Sequence, residues 1–455
     1  MELYTRIVKF LAFACCAAFV FLIPFGWQSA NYILGSFALF AVVNPDLWKN
    51  WKSYRFSYPE KAVVLVTLAY LVWEFVSMIW TDDTSYGMTR IVRHIPIFAM
   101  PVLALLASVG GVIKRPWVII QFLCAGTLSS MILCLIMSYY DCWHLTPFGD
   151  YVFGFTVPEY GERGLIESIT SGYSHFSYFH LSHFINPAYF ALFVNILMIY
   201  SYVILYKYAF SKRVIALSTA IIVFGALFLV MLCNRANFIS FSLIVAVIGI
   251  YEWVVKKHKR AALIIFSVIM LITGGVLSTG RGQDMVSKIT KSVTEEQDTS
   301  QLVQNSNLSL KDRKKKLEKV NDRVSIWGSA FRVILKRPIL GCGVGDSDDA
   351  IIGQYYIDGK IELADSERCT HNQYLDIWLE CGVLGFIILM ALVLLPLVYG
   401  FKYRNIALIL FSLTIVINLM FETMLNRSVG CFSITLVMML MLISEIRNVE
   451  LKQGE

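Results

Sequence analysis

Apolar runs recur along this chain with only short polar breaks between them. Twelve can be counted, at roughly 8–26, 28–45, 61–80, 90–108, 113–139, 185–206, 213–232, 236–254, 261–279, 376–400, 404–422 and 427–446. A membrane-spanning helix needs about 20 predominantly apolar residues. The pattern therefore predicts an all-α polytopic membrane protein with about twelve transmembrane helices. No small-residue cleavage site follows the first run, so it reads as an uncleaved span. One polar interruption is long, and it divides the chain into spans 1–279, a large loop 280–375, and spans plus a short tail 376–455. Within that loop, residues 281–322 are polar and include the run Lys311-Asp312-Arg313-Lys314-Lys315-Lys316-Leu317-Glu318-Lys319. This part reads as flexible or as a solvated helix, with attraction to anionic head groups as a second option. From Asn321 the character changes. Arg323 and Trp327 at i, i+4, with Ala330, Phe331, Val333 and Ile334, predict an amphipathic helix that stops at Pro338.

Composition agrees with a membrane class. The 455 residues are 57% hydrophobic and 16% charged, with mean hydropathy +0.64, too apolar for a soluble protein of this length. The net charge of +7 matters less than its distribution. With the N-terminus inside, the cytoplasmic segments carry 19 of the Lys and Arg residues and the short outer segments carry 5. That asymmetry predicts both termini on the cytoplasmic side, with the large loop outside. The other 15 lie in residues 280–375, a loop too long for the charge rule to apply. Basic residues split among many short loops argue against nucleic acid as a partner.

Candidate chemistry gathers at the outer side. In Cys369-Thr370-His371-Asn372-Gln373, Thr370 and Gln373 have the spacing of a capping box, which places a helix start here and His371 in its first turn. The helix dipole would then disfavour the imidazolium and leave a neutral general base. A plain hydrogen-bonding role for His371 is the alternative. Arg90 and Arg93 share a helix face, either as head-group ligands or as interface anchors. Arg235 lies in a very short hairpin with no acid, where an anionic ligand would serve as its partner. Phe421 to Arg427 forms another charged outer hairpin, with Glu422 and Arg427. The run Pro338-Ile339-Leu340-Gly341-Cys342-Gly343-Val344-Gly345 is a glycine-spaced turn of the kind that lets backbone approach a ligand. Gly382 and Gly385 allow close helix contact. His180 and His183 have helical spacing, yet no carboxylate or cysteine completes a metal set in their stretch. That aromatic-rich loop reads better as a lid or sugar-binding surface. Cys342 and Cys369 both fall in the outer loop, where a disulfide is permitted.

The order of these motifs resembles the bacterial O-antigen ligase and O-antigen polymerase superfamily. The resemblance rests on Arg235 to Ile239, Arg323 with Trp327, Pro338 with Gly341, Gly343 and Gly345, His371-Asn372 with Leu375, and Glu380 with Gly382 and Gly385, from about 213 to 390. It implies a GT-C-type, metal-independent, inverting glycosyltransferase that needs no cofactor. The implied donor is a glycan on undecaprenyl pyrophosphate, and a ligase moves it to lipid A–core oligosaccharide at the periplasmic face of the inner membrane. The implied catalytic set is Arg235, Arg323 and His371. Arg90, Arg93, Asn372, Glu422 and Arg427 are further candidates for substrate binding. Asn234, Asn237 and Phe238 depart from the commonest family pattern and leave the donor glycan open. A polymerase and a protein O-oligosaccharyltransferase are the nearest rivals. A transporter or flippase is the rival from another class, and it should show midplane charges and inverted repeats.

Overall fold

The computed structural model describes residues 1–26, 30–145, 150–161, 164, 168, 173–207, 211–232, 235–260, 263, 267 and 322–453. The predicted span 261–279 and the polar stretch 281–321 lie outside the described residues, apart from Leu263 and Ser267.

The first half contains α1 (Glu2–Leu22), α2 (Ala30–Val42), α3 (Pro45–Trp51), α4 (Tyr58–Ser77), α5 (Thr84–Val109) and α6 (Pro116–Asp141). A short antiparallel hairpin, Trp143–Leu145 with Tyr151–Phe153, follows. The remaining spans in this half are α7 (Pro187–Lys207), α8 (Lys212–Leu232) and α9 (Arg235–Val254). The module predicted from the charge distribution to lie outside, called the outer module below, is α10 (Asp322–Lys336), α11 (Ser347–Ile357) and α12 (Ile361–Asp365). The chain closes with α13 (Gln373–Lys402), α14 (Ile406–Phe421) and α15 (Ser428–Gln453).

Local signals set many of these boundaries. Ser57 and Glu60 close a capping box at the start of α4, with Pro59 in the first turn. Asp83 accepts from Tyr86 N–H at 2.9 Å and starts α5. Asn405 does the same for α14 through Leu408 N–H at 3.0 Å. Among the described residues, seven helices are long and apolar enough to cross a membrane. Four shorter apolar helices, Ala30–Val42, Ile239–Val254, Ile406–Phe421 and Ser428–Ser444, match predicted runs as well. The shortest has 13 residues, about 20 Å at 1.5 Å per residue, because Asn44 caps a new helix immediately after it. The chain is thus a helical, multi-pass membrane protein.

Burial separates scaffold from lipid-facing helices. In α7 every residue from Ala188 to Met198 is buried, so this helix is core on all sides. The C-terminal α15 packs along α5, α13 packs on α4 and α14, and α1 lies against α2 and α6. A separate small core holds the outer module onto the bundle. Ile326, Ala330 and Ile334 of α10 pack with Ile351 and Tyr355 of α11 and with Leu379 of α13.

Candidate active site at the polar end of the bundle

The first turns of α13 organise the site, though differently from the expected capping box. Asn372 is the N-cap; its side chain accepts from Tyr374 N–H at 3.0 Å and Leu375 N–H at 3.3 Å. Thr370 instead donates to Asp376 Oδ1 at 2.9 Å, and Gln373 reaches the 422–427 hairpin. His371 therefore precedes the helix, with a left-handed φ of +46°. That backbone turns its ring away from the helix axis and toward Glu422.

Electrostatics there run opposite to the dipole argument. His371 Nδ1 lies 3.4 Å from Glu422 Oε2, and the ring is half-buried. Hydrogen bonding to the Cys369 side chain and then to Glu422 outweighs burial and pushes the imidazole pKa up to about 9. At neutral pH His371 is mainly imidazolium. Arg323 donates to the other oxygen, Glu422 Oε1, at 3.2 Å, and its guanidinium stands 5.8 Å from the Phe421 ring centre. Glu422 thus ties together Arg323, 99 residues before it, and His371, 51 residues before it. Trp327, one turn along α10, donates to Thr370 O at 3.1 Å and fixes the histidine loop from the other side.

Below this layer lies a buried ionic cluster that the sequence pattern does not reveal. Arg90 is 4% exposed. It pairs with Glu380, with Asp376 at 3.1 Å and with Asp348 at 3.4 Å, and it donates to Ser347 Oγ at 2.9 Å. Arg90 is thus neither an interface anchor nor a free anion ligand. Asp376 also accepts from Asn426 at 2.7 Å, so one carboxylate links α5, the histidine loop and the 422–427 hairpin. Gln373 adds two bonds to that hairpin, from its amide to Asn426 and from Leu425 N–H to its carbonyl, each at 2.9 Å. Further in, His94 Nδ1 and Glu74 Oε1 sit 2.6 Å apart, both buried. Arg90 lies more than 250 residues before Asp348, Asp376 and Glu380, which explains why spacing alone missed the cluster.

The glycine turn serves the protein rather than a ligand. Gly382 breaks α13 with φ +66° and ψ −165°. The freed backbone groups are met by the turn: Cys342 N–H donates to Leu379 O at 2.8 Å, Gly343 N–H to Glu380 O at 2.9 Å, and Val383 N–H to Pro338 O at 3.0 Å. A Cβ on Gly382 would run into the Ile339 carbonyl. The carboxylate of Asp346 accepts from Asp82 and Asp83 N–H at 2.7 and 2.8 Å, which docks the turn on the start of α5.

The remaining candidates are placed as follows. Arg235 opens α9, and its side chain lies outside the described residues. Arg93 and Arg427 are exposed and line a cavity of about 750 Å³. Cys342 and Cys369 are both free: Cys342 is buried in the outer module's core, and Cys369 faces the cavity beside His371. His183 is engaged within the protein, 3.1 Å from Ser138 Oγ and 3.6 Å from Asp141. Among the described residues, no group of three or more His, Cys, Asp or Glu side chains is placed to hold a metal ion.

A helical membrane bundle with a charged, enclosed site at one end, covered by a small helical module, is the class of protein this geometry defines. Residues 220–390, less than half of the chain, match the family model described as O-antigen ligase, and this match supports the O-antigen ligase and polymerase superfamily for that segment. The matched segment includes Arg235, Arg323, the glycine turn and His371; Glu422 and Arg427 lie beyond it. An uncharacterized protein of Haemophilus influenzae is 31% identical over 83 residues, 18% of this chain. The aligned part spans about a fifth, 21%, of that relative's length.

Proposed function

We propose that this chain is an O-antigen ligase. It transfers a glycan from undecaprenyl pyrophosphate to lipid A–core oligosaccharide at the periplasmic face of the inner membrane. The observation that carries the reading is the line Arg323–Glu422–His371, held beneath a module that lies within the family match. The unequal division of Lys and Arg supports cytoplasmic termini and a periplasmic site. In this reading residues 1–279 and 376–455 supply the spans, and 280–375 supplies the outer part of a GT-C-type site.

Bond breaking between the anomeric carbon and pyrophosphate places charge on the leaving group. Arginines in a partly dry site stabilise that charge without proton transfer, and Arg235 and Arg323 take this role. The acceptor hydroxyl attacks from the opposite side of the sugar carbon and inverts it. Its proton passes to the neutral fraction of His371, and Glu422 stabilises the imidazolium that forms. No metal is assigned a step in this scheme. The acidic cluster below is instead filled by Arg90.

The test is transfer in vitro with purified protein, carrier-linked glycan and lipid A–core acceptor. Product lipopolysaccharide, lost in His371→Ala and Arg323→Ala, supports a ligase. Longer carrier-linked chains without acceptor glycosylation identify a polymerase, and glycosylated protein identifies an oligosaccharyltransferase. No transfer to any acceptor, with carrier glycan moved across proteoliposomes, rejects the enzyme in favour of a flippase.

A further inference from the structure

The cavity of about 750 Å³ lies beside the Arg323–Glu422–His371 line, not on it. Of these three residues none lines the cavity, but Cys369, the hydrogen-bond partner of His371, does. So do Thr423, Asn426 and Arg427 of the hairpin that carries Glu422. The cavity and the candidate catalytic line therefore share two walls.

Its lining is divided in character. The polar side holds three arginines, Arg90, Arg93 and Arg427, against one carboxylate, Asp348, together with His94. The charge of Arg90 is already met by Glu380, Asp376 and Asp348. Arg93 and Arg427 are exposed to the cavity, and among the described residues neither has a carboxylate at ion-pair distance. They are surplus positive charge in a concave site. The lining also has an apolar part, with Phe19 and Ile23 from the end of the first span and Val429 and Phe432 of α15; the Phe19 and Phe432 rings pack edge to face with centres 5.6 Å apart. Ala30 and Asn31 of α2 also line it. The volume falls within the ordinary range of ligand pockets, about 300–1,000 Å³.

Surplus guanidinium and hydrocarbon in one cavity fit one kind of molecule. We propose that this cavity is a lipid-phosphate site, with the phosphate on Arg93 and Arg427 and the first part of the hydrocarbon chain against Phe19, Val429 and Phe432. Paired guanidinium groups suit phosphate oxygens because each can donate two parallel N–H bonds. The inference deepens the proposed reaction by naming where one of its two lipids docks. It rests on that reading only for the identity of the probes, which are undecaprenyl pyrophosphate and hexa-acylated lipid A bisphosphate.

Binding is measured by native mass spectrometry or microscale thermophoresis on the full chain in detergent, without any turnover. The parent is compared with Arg93→Gln, Arg427→Gln, the double variant, and Asn31→Trp, which fills the cavity from an exposed position. Lys402→Gln, at the far end of α13, is the control, and circular dichroism checks folding. The expected result is at least tenfold weaker binding of one lipid in the double variant and in Asn31→Trp, with the control unchanged. Loss confined to undecaprenyl pyrophosphate assigns the site to the donor, and loss confined to lipid A assigns it to the acceptor. Inorganic pyrophosphate that binds the parent as tightly as the lipids do would overturn the lipid half of the proposal. Unchanged affinity for both lipids in folded variants would overturn the whole. Since no step requires transfer, a parent that binds lipid but moves no glycan would sink the proposed reaction and leave the site standing.

Discussion

Glu422→Gln tests the electrostatics of the site most directly. The substitution keeps the shape of the side chain and removes the charge shared by Arg323 at 3.2 Å and His371 at 3.4 Å. A unit-charge pair at 3.4 Å interacts by about 1 kcal/mol in water-like surroundings and about 5 kcal/mol at an effective dielectric of about 20. The His371 imidazole is pushed up to about 9, first by hydrogen bonding to Cys369 and second by hydrogen bonding to Glu422, against burial, which lowers it. Because the folded pKa is raised, the stabilising charge on His371 is fully present below pH 6.5 and is lost as pH rises through about 9. A base must be neutral, so kcat/KM of the parent should climb with pH through that same value. Glu422→Gln should move the inflection down toward the ordinary imidazole range and lower the plateau, since the imidazolium formed in the transition state loses its counter-charge. The assay is the pH dependence of kcat/KM for transfer between pH 6 and 10, which reports the free protein. An inflection that stays near 9 in Glu422→Gln, or a His371→Gln variant with the parent's profile, would refute the assignment of His371 as base and Glu422 as its partner.

Other outcomes follow from the same structure. Arg90→Ala strands the carboxylates of Asp376 and Glu380 in a buried site and should destabilise by about 3–5 kcal/mol, read as a fall in the detergent unfolding midpoint; an unchanged midpoint would mean the cluster is hydrated. Gly382→Ala places a Cβ against the Ile339 carbonyl in a backbone region reserved for glycine, and should lose at least about 1–3 kcal/mol in the same measurement. Arg323→Lys keeps charge but loses the planar fork, and transfer should fall severely at normal expression; parent-like turnover would reduce its role to long-range charge. Transfer should persist in excess chelator, and loss that a divalent ion restores would reject the metal-free scheme. A cysteine near residue 300 should react with a membrane-impermeant reagent from the periplasm, whereas one near 258 should not.

The spans were legible because their signal is local and strong: hydrophobic runs and caps such as Ser57–Glu60 act within a few residues. The start of α13 was legible to within two residues, but its cap was not. Thr370 has the right spacing for a capping box, yet Asp376 outcompetes the helix for its hydroxyl. The motif singles out His371, whereas the charge on its imidazole is raised first by Cys369, brought against it by the left-handed turn at φ +46°, and second by Glu422, 51 residues later. The glycine run promised room for a ligand; that room is taken by the chain's own backbone at Glu380 to Gly382. Arg90 reads as an anchor until α5 is placed beside α13, and no periodicity within either helix announces that meeting.

The break at Gly382 has a mechanical consequence. It cuts α13 into a short segment, 373–381, that carries Asp376 and Glu380, and a long segment running on to Lys402. The short segment is clamped by Cys342 and Gly343, and by Pro338 through the Trp378 indole N–H at 3.0 Å, while the long one is tied to the turn only at its first residue, Val383, and otherwise packs along α4 and α14. A spanning helix adjusts to bilayer thickness by tilting. With a hinge between them, tilt of the long arm is absorbed at one glycine instead of being levered onto the carboxylates and the histidine loop. The short segment and the histidine loop before it stay with the outer module, set apart from movement of the arm that crosses the membrane.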